Sequence, residues 1–397
     1  MERRLMSSEL FQNSLCDTSE HHRDLRDAVS KLVGKFGRKY FQDVVNKGEQ
    51  PTALWSALGE AGFLGVHVSE AYGGGGGGLA ELNICIEETA AHGCPILSMV
   101  ISSITAPIIA ACGSEAMKQE WLPGIASGKR KMCFGITEPN AGSNTHKVTT
   151  HAVRKGNGWV INGAKYWTSD IDQSDAVMVV ARDGVPVTDG SRQGLSLFVV
   201  PTNTPGISMT QIDSALRTSE KQFSVFYDNV EVPDEALIGE PGAGLKQVFS
   251  GLNPERIAAA AINNGISRFA ITQATQYAKD RSVWNTPIGA HQGVAHPLAE
   301  AYINVQAARL LNARAAQLCD GGEDAAETAN MAKFAAAESS LKALDQAIQV
   351  HGGNGLSNEY GLSDLWFIAR LHRTAPVSRE MILNYVSTHS LGLPKSY

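Results

Sequence analysis

Three short segments hold the residue types that could do chemistry. The first, Phe134-Gly-Ile-Thr-Glu-Pro-Asn-Ala-Gly-Ser143, puts the hydroxyls of Thr137 and Ser143 around a turn where Gly142 leaves backbone amides open. Hydroxyls and exposed amides of this kind bind carbonyl or phosphate oxygens. About two dozen residues later, Ile161-Asn-Gly-Ala-Lys-Tyr-Trp-Thr-Ser169 sets Trp167 beside Thr168 and Ser169. An indole with hydroxyls at its side is a platform for a flat ring with a donor at the ring edge. Together they suggest a planar, phosphorylated cofactor; the plainer alternative is a strand end with a core tryptophan. The third segment, Leu252-Asn-Pro-Glu255-Arg256, offers a carboxylate. In an apolar pocket its pKa would rise toward that of a base working near neutral pH. The same residues also read as a helix start, with Asn253 as N-cap and Pro254 at the first helical position. There the helix dipole would lower the pKa of Glu255 instead.

The elements that must position these segments fall into three regions. Residues 1–130 read as helix, with Leu54, Leu58 and Leu64 around a stop at Gly62 and a flexible interhelical turn at Gly73–Gly78. The glycine run lacks the strand–GxGxxG–helix context of a phosphate cradle. Residues 131–244 alternate short apolar runs (Ala176–Ala181, Leu195–Pro201, Phe223–Tyr227) with Asp, Gly and Pro, and Gly158–Gly163 reads as a pair of short strands. The spacing predicts an antiparallel β-barrel or sandwich. Residues 245–397 return to long Ala-rich helices over Ile257–Lys279, Leu298–Cys319 and Ala325–Val350, predicting a C-terminal four-helix bundle. The fold class is therefore α+β and multidomain, in the order α, β, α.

The chain has 397 residues, 43% hydrophobic and 19% charged, with a formal net charge of -6. This balance disfavours nucleic acid or an anionic membrane as a partner. The six cysteines are scattered without a CxxC pair, so neither a disulfide frame nor a metal site is expected. Cys94–Gly113 is uncharged but contains Pro95, Pro107 and several Ser and Thr residues, which fits a buried helix pair better than a membrane span. The first twenty residues mix Arg3 and Arg4 with Glu9, Asp17 and Glu20, unlike a signal peptide, and a cytoplasmic location is expected.

From about residue 50 to about residue 385 the sequence resembles the acyl-CoA dehydrogenase family. The likeness rests on Thr-Glu-Pro-x-x-Gly-Ser at Thr137–Ser143 and Asn-Gly-x-Lys-x-Trp followed by a hydroxyl two residues on, at Asn162–Ser169. Later come Arg281, Pro287-Ile288 and Gln292, then Gln349 with Gly352-Gly353 and Gly355. Tyr72-Gly73-Gly74, Glu87-Glu88, Gly113-Ser-Glu115 and Val230-x-Val232-Pro233 agree as well. The resemblance implies FAD held by Phe134, Ile136, Thr137, Gly142, Ser143, Trp167, Thr168 and Ser169. Arg281, Gln292, Gln349, Gly352 and Gly353 would reach its adenosine diphosphate part from a neighbouring subunit, making a homo-oligomer (dimer or tetramer). An electron-transfer flavoprotein would be the electron acceptor. Two departures stand out: Asn144 replaces the usual Asp, and Trp284-Asn285 replaces Phe-Gly.

The family's usual base lies in a Tyr-Glu-Gly-Thr motif, where this chain has Thr374-Ala375-Pro376-Val377-Ser378. Ala375 cannot take a proton. Members resembling isovaleryl-CoA and long-chain acyl-CoA dehydrogenases place the base in an earlier Leu-x-x-Glu-Arg stretch, matched here at Glu255. The resemblance thus implies dehydrogenation of an acyl-CoA to a 2-enoyl-CoA, with Glu255 as base and Ser143, Asn253, Arg256 and the Ala375 amide around the thioester. His351, His372 and Glu380 are lesser candidates. The competing readings are a flavin monooxygenase or oxidase on the same fold, and a catalytically silent or DNA-associated member.

Overall fold

The computed structural model describes residues 10–11, 16–17, 19–186 and 193–395. Helices occupy Glu20–Val33, Gly37–Asn46, Thr52–Glu60, Leu79–Ala91, Leu97–Cys112 and Glu115–Ala126. Ser19 and Ser114 cap two of them, accepting from the amides of His22 and Met117. The chain turns at Gly62 with φ 77°, as expected after Leu58.

The glycine run is interhelical, but it is not loose. Gly75, Gly76 and Gly77 donate to the carbonyls of Gly65, Val68 and Val66 at 2.9, 2.9 and 2.8 Å. A Cβ on Gly74 would stand 2.1 Å from the Val68 carbonyl oxygen, so the glycine permits a close backbone approach. Cys94–Gly113 holds one helix, Leu97–Cys112, with Pro107 inside it, where a pair was expected. No described helix is long and apolar enough to cross a membrane.

The middle region is a seven-stranded sheet of the described residues, in the order β1-β4-β2-β3-β7-β6 with β5 on β4. The strands are β1 Met132–Gly135, β2 His151–Lys155, β3 Gly158–Ser169, β4 Ala176–Pro186, β5 Gln193–Pro201, β6 Ile207–Ile212 and β7 Gln222–Pro233. Most pairings are antiparallel, but β1 and β2 each run parallel to β4. Gly158–Gly163 lies within the single strand β3, not a pair of strands. Gly163 (φ 145°) lets that strand pass Thr150, whose Cα a Cβ would approach to 2.6 Å.

The C-terminal region has three long helices, Gly244–Asp280, Gln292–Asp320 and Ala326–His351, with the short Trp366–Leu371 and Arg379–Tyr385 where a fourth would complete the bundle. The first begins well before Asn253, so Asn253 is not an N-cap and Pro254 is interior. Proline there removes one backbone hydrogen bond. The helix persists because Ile257–Ile262 are fully buried against its neighbours. It also crosses the N-terminal helices closely: a Cβ on Gly265 would lie 2.3 Å from the carbonyl oxygen of Glu87.

Beside that crossing is a buried charge network. Arg268 and Arg309 reach Glu87 at 2.9 and 2.8 Å, and Arg268 and Arg26 reach Glu88 at 2.6 and 3.0 Å. Burial would raise both carboxyls, but the guanidiniums outweigh it and hold each at about 2. We predict that Gly265→Ala destabilises the protein by about 1–3 kcal/mol, because overpacking at this crossing exceeds the gain in helix propensity. Chemical denaturation measures it, and an unchanged or raised midpoint would contradict the close crossing.

Candidate active site

The two cofactor-type segments are brought together by hydrogen bonds to backbone and by one buried ion pair. Tyr166 donates its amide to the Thr137 carbonyl at 2.8 Å. Lys165, with no exposed side-chain surface, meets Glu138 at 2.9 Å and the Ile136 carbonyl at 3.1 Å. Glu138 also accepts from the Thr149 amide and hydroxyl, both at 2.7 Å, and from the Thr150 amide at 2.9 Å. Burial would raise the Glu138 carboxyl, yet these donors and the Lys165 ammonium hold it at about 2. Burial lowers Lys165 to about 8 despite Glu138. Both residues stand inside the motifs, but sequence reasoning assigned them no role. The available signal was a Glu and a Lys, the one ionisable carboxylate and the one ammonium within segments otherwise free of charge.

The ion pair leaves an open cradle. Gly142 and Ser143 are exposed, and a Cβ on Gly142 would meet nothing within 4 Å. Phe134, Ile136 and Thr137 are half-buried beneath it. Trp167 is 45% exposed and has φ 58°, a left-handed backbone rare for a bulky residue. Such outliers cluster at ligand sites. The register shift between Lys165 and Thr168 against β7 accompanies it. Ser169 donates its hydroxyl to the Gln222 side chain at 2.8 Å and is half-buried. Thr168 is 1% exposed, and its hydroxyl is buried without a protein partner.

The second expected cluster gathers at one end of the helical bundle. The Tyr277 ring lies 4.2 Å from that of His351, and Asn354 donates to the Tyr277 hydroxyl at 3.1 Å. This joins the Arg281 end of one helix to the Gly352 end of another. Ile288 donates to the Arg281 carbonyl at 2.8 Å, bringing the start of the Gln292 helix alongside. Arg281, Gln292, Gln349, Gly352 and Gly353 are all exposed. Trp284, at the tip of the Ser282–Pro287 hairpin, is 86% exposed. His351 is instead buried and bonded to the Ala347 carbonyl at 2.7 Å, a structural role.

Glu255 sits in the interior turns of its helix, so no helix-start dipole lowers its pKa. It lies deep in the fold yet keeps a half-buried surface. Burial pushes it up to about 7, against the opposing charges of Arg256 and Lys333. Arg256 donates to the Asn253 side chain at 2.7 Å, and its Nε is buried without a partner. Leu252 packs in the apolar cluster that also takes Phe134 and Ile136, linking this helix to the cradle. The expected role of the Ala375 amide is corrected: it donates to the Leu371 carbonyl at 2.9 Å and is engaged within its own turn. Lys333 donates to the next-but-one carbonyl, that of Val377, which ties the 374–378 segment to the Ala326–His351 helix.

Residues 19–129, 133–230 and 242–390 match, in turn, the acyl-CoA dehydrogenase N-terminal, middle and C-terminal domains. The chain belongs to the acyl-CoA dehydrogenase family. It is 52% identical over 382 residues to the acyl-CoA dehydrogenase FadE12 of Mycobacterium tuberculosis, covering 96% of this chain and 98% of that one. It is 36% identical to a glutaryl-CoA dehydrogenase of Desulfococcus multivorans over 89% of this chain and 90% of the other. The solved glutaryl-CoA dehydrogenase of Mycobacterium smegmatis superposes with a TM-score of 0.89 at 28% identity over 100% of both chains. This acyl-CoA dehydrogenase is thus an oxidoreductase of an FAD-binding family, and the open cradle with its outward tryptophan fits a flavin.

Removing the ion pair that joins the two motifs should cost this acyl-CoA dehydrogenase its cofactor site. Lys165→Met is expected to destabilise it by about 3–5 kcal/mol, since Glu138 is left buried without its counter-charge. The purified protein should lose flavin absorbance. Because Glu138 is held below the ordinary carboxylate range, its contribution is present above about pH 4 and lost as pH falls toward about 2. Full flavin retention in Lys165→Met would refute the joining role.

Proposed function

We propose that the protein is an FAD-dependent acyl-CoA dehydrogenase in which Glu255 takes the α-proton of an acyl-CoA thioester and a 2-enoyl-CoA is formed. The observation that carries this is the position of Glu255. It is the carboxylate raised to about 7 by burial beside the segment where the family's usual base is replaced by Ala375. A carboxylate that titrates near neutrality is matched to proton abstraction at the pH where it works. FAD supplies the hydride acceptor for the β-carbon. The chain's own residues would divide the remaining work: Thr137, Gly142 and Ser143 would hold the flavin's polar edge and Trp167 would flank its ring, with Ser169, bonded to Gln222, beside it. Asn253 and Arg256, bonded to each other beside Glu255 in the sequence, would meet the thioester there, with Ser143 contributing from the flavin side.

The exposed cluster at Arg281, Gln292, Gln349, Gly352 and Gly353 supports an assembly in which a second copy completes the adenosine diphosphate site. An always-charged, bidentate guanidinium suits a pyrophosphate there. The division into residues 1–130, 131–244 and 245–397 and an electron-transfer flavoprotein as acceptor belong to the same reading. Light scattering should report an oligomer, and Arg281→Ala should release FAD while leaving the fold intact; a monomer that keeps FAD would refute the shared site.

The reaction is tested by anaerobic flavin bleaching with a panel of acyl-CoAs of different length and branching. The wild-type rate should rise with pH through about 7, because Glu255 accepts a proton only when ionised. Glu255→Gln should slow bleaching by about 100-fold or more, the scale of positioned general-base catalysis. Unchanged bleaching in that variant would exclude Glu255, and no bleaching by any thioester would exclude the dehydrogenase reaction.

A further inference from the structure

Lys333 is a lysine in the core of the helical bundle. Its side chain stands on the Ala326–His351 helix among Ala329, Ala332, Ala336 and Ala337, and it is 1% exposed. A buried ammonium on such an Ala-rich face is costly unless it is paired and hydrogen-bonded. Its hydrogen bond goes to the Val377 carbonyl, in the segment that carries Ala375. The strongest opposing charge acting on it is that of Glu255, on the Gly244–Asp280 helix. Lys333 is therefore bonded to the segment that carries Ala375 and lies within the electrostatic reach of Glu255.

The surrounding groups single out Lys333 as the titratable cation of the cluster. From the helix of Glu255 comes Arg256, a permanent charge bonded to Asn253. From the segment after Trp366–Leu371 comes His372, which burial and the Lys333 charge hold at about 3, so it is neutral and supplies no counter-charge. Glu338 is engaged by Arg373 and Arg379 at 2.8 and 3.0 Å, and Glu380 is exposed, 3.8 Å from Arg379. Tyr385 lies near Arg256. Burial lowers Lys333 to about 7, with Glu255 opposing the fall, so acid and base titrate in the same range.

We propose that Lys333 is a positioning residue for Glu255: its ammonium keeps the neighbouring carboxylate ionised before proton abstraction, and its bond to Val377 fixes the 374–378 segment beside that carboxylate. When Glu255 takes the α-proton its charge disappears. Lys333 then faces Arg256 with no counter-charge from Glu255. The inference rests on Glu255 being the base.

The test compares the pH dependence of anaerobic acyl-CoA bleaching in the wild type, Lys333→Met, Lys333→Arg and Glu255→Gln. Loss of the ammonium should raise the Glu255 pKa and move the acid limb to higher pH. A displacement of one pH unit makes bleaching below the wild-type midpoint about ten-fold slower. Lys333→Arg should keep the wild-type limb. If Lys333→Met bleaches with an unmoved limb while Glu255→Gln is inactive, the positioning role is overturned and the base assignment stands. If Glu255→Gln bleaches normally, the base assignment itself fails, and with it this inference. Should Lys333→Met not yield a folded flavoprotein, isotope-labelled lysine side chains followed by NMR decide the question. The Lys333 amine should titrate lower in Glu255→Gln than in the wild type, and an unchanged titration overturns the proposal.

Discussion

The buried pair between Lys165 and Glu138 is the constraint on which the cofactor-binding half of the molecule depends. Neither charge has solvent to stabilise it, so each requires the other and the hydrogen bonds around it. Those bonds run to Ile136, Thr149 and Thr150, tying the first motif and the entry to β2 onto strand β3. Displacing one motif would strand a buried charge. The pair thereby enforces the relative positions of Ser143 and Trp167, which do not touch it.

A second set of buried charges does for the helices what that pair does for the sheet. Glu87 and Glu88 draw in arginines from the first helix and from two helices of the C-terminal bundle. Gly265 lets the crossing close until a methyl group would collide. The N-terminal helices and the bundle consequently share one apolar core, in which Leu82, Ile86, Ile257 and Leu344 take part. Glu255 rides on the same long helix, so its distance from the cradle is set by packing at both of its ends.

The environment of Glu255 follows from competition between two effects. A helix start would have lowered its pKa, and burial raises it. The helix begins at Gly244, leaving burial as the larger effect, with Arg256 and Lys333 moderating it. The loss of a carboxylate at Ala375 is matched by an amide that serves its own turn instead of a ligand.

Local residue identity was enough to lay out the order of regions and the long Ala-rich helices, while the flavin-type motifs and the proposed base at Glu255 in place of position 375 were legible through the resemblance to the acyl-CoA dehydrogenase family. The regions and helices follow from periodicity and turn chemistry, which are confined to neighbouring positions. Tertiary structure alone decided what depends on distant partners. It made Gly158–Gly163 part of one strand, pinned the glycine run to Gly65–Val68, buried Thr168, ran a helix through Pro254, and bonded Lys333 to the Ala375 segment. Burial and charge pairing are properties of what a residue packs against, and that is fixed only when the whole chain has folded.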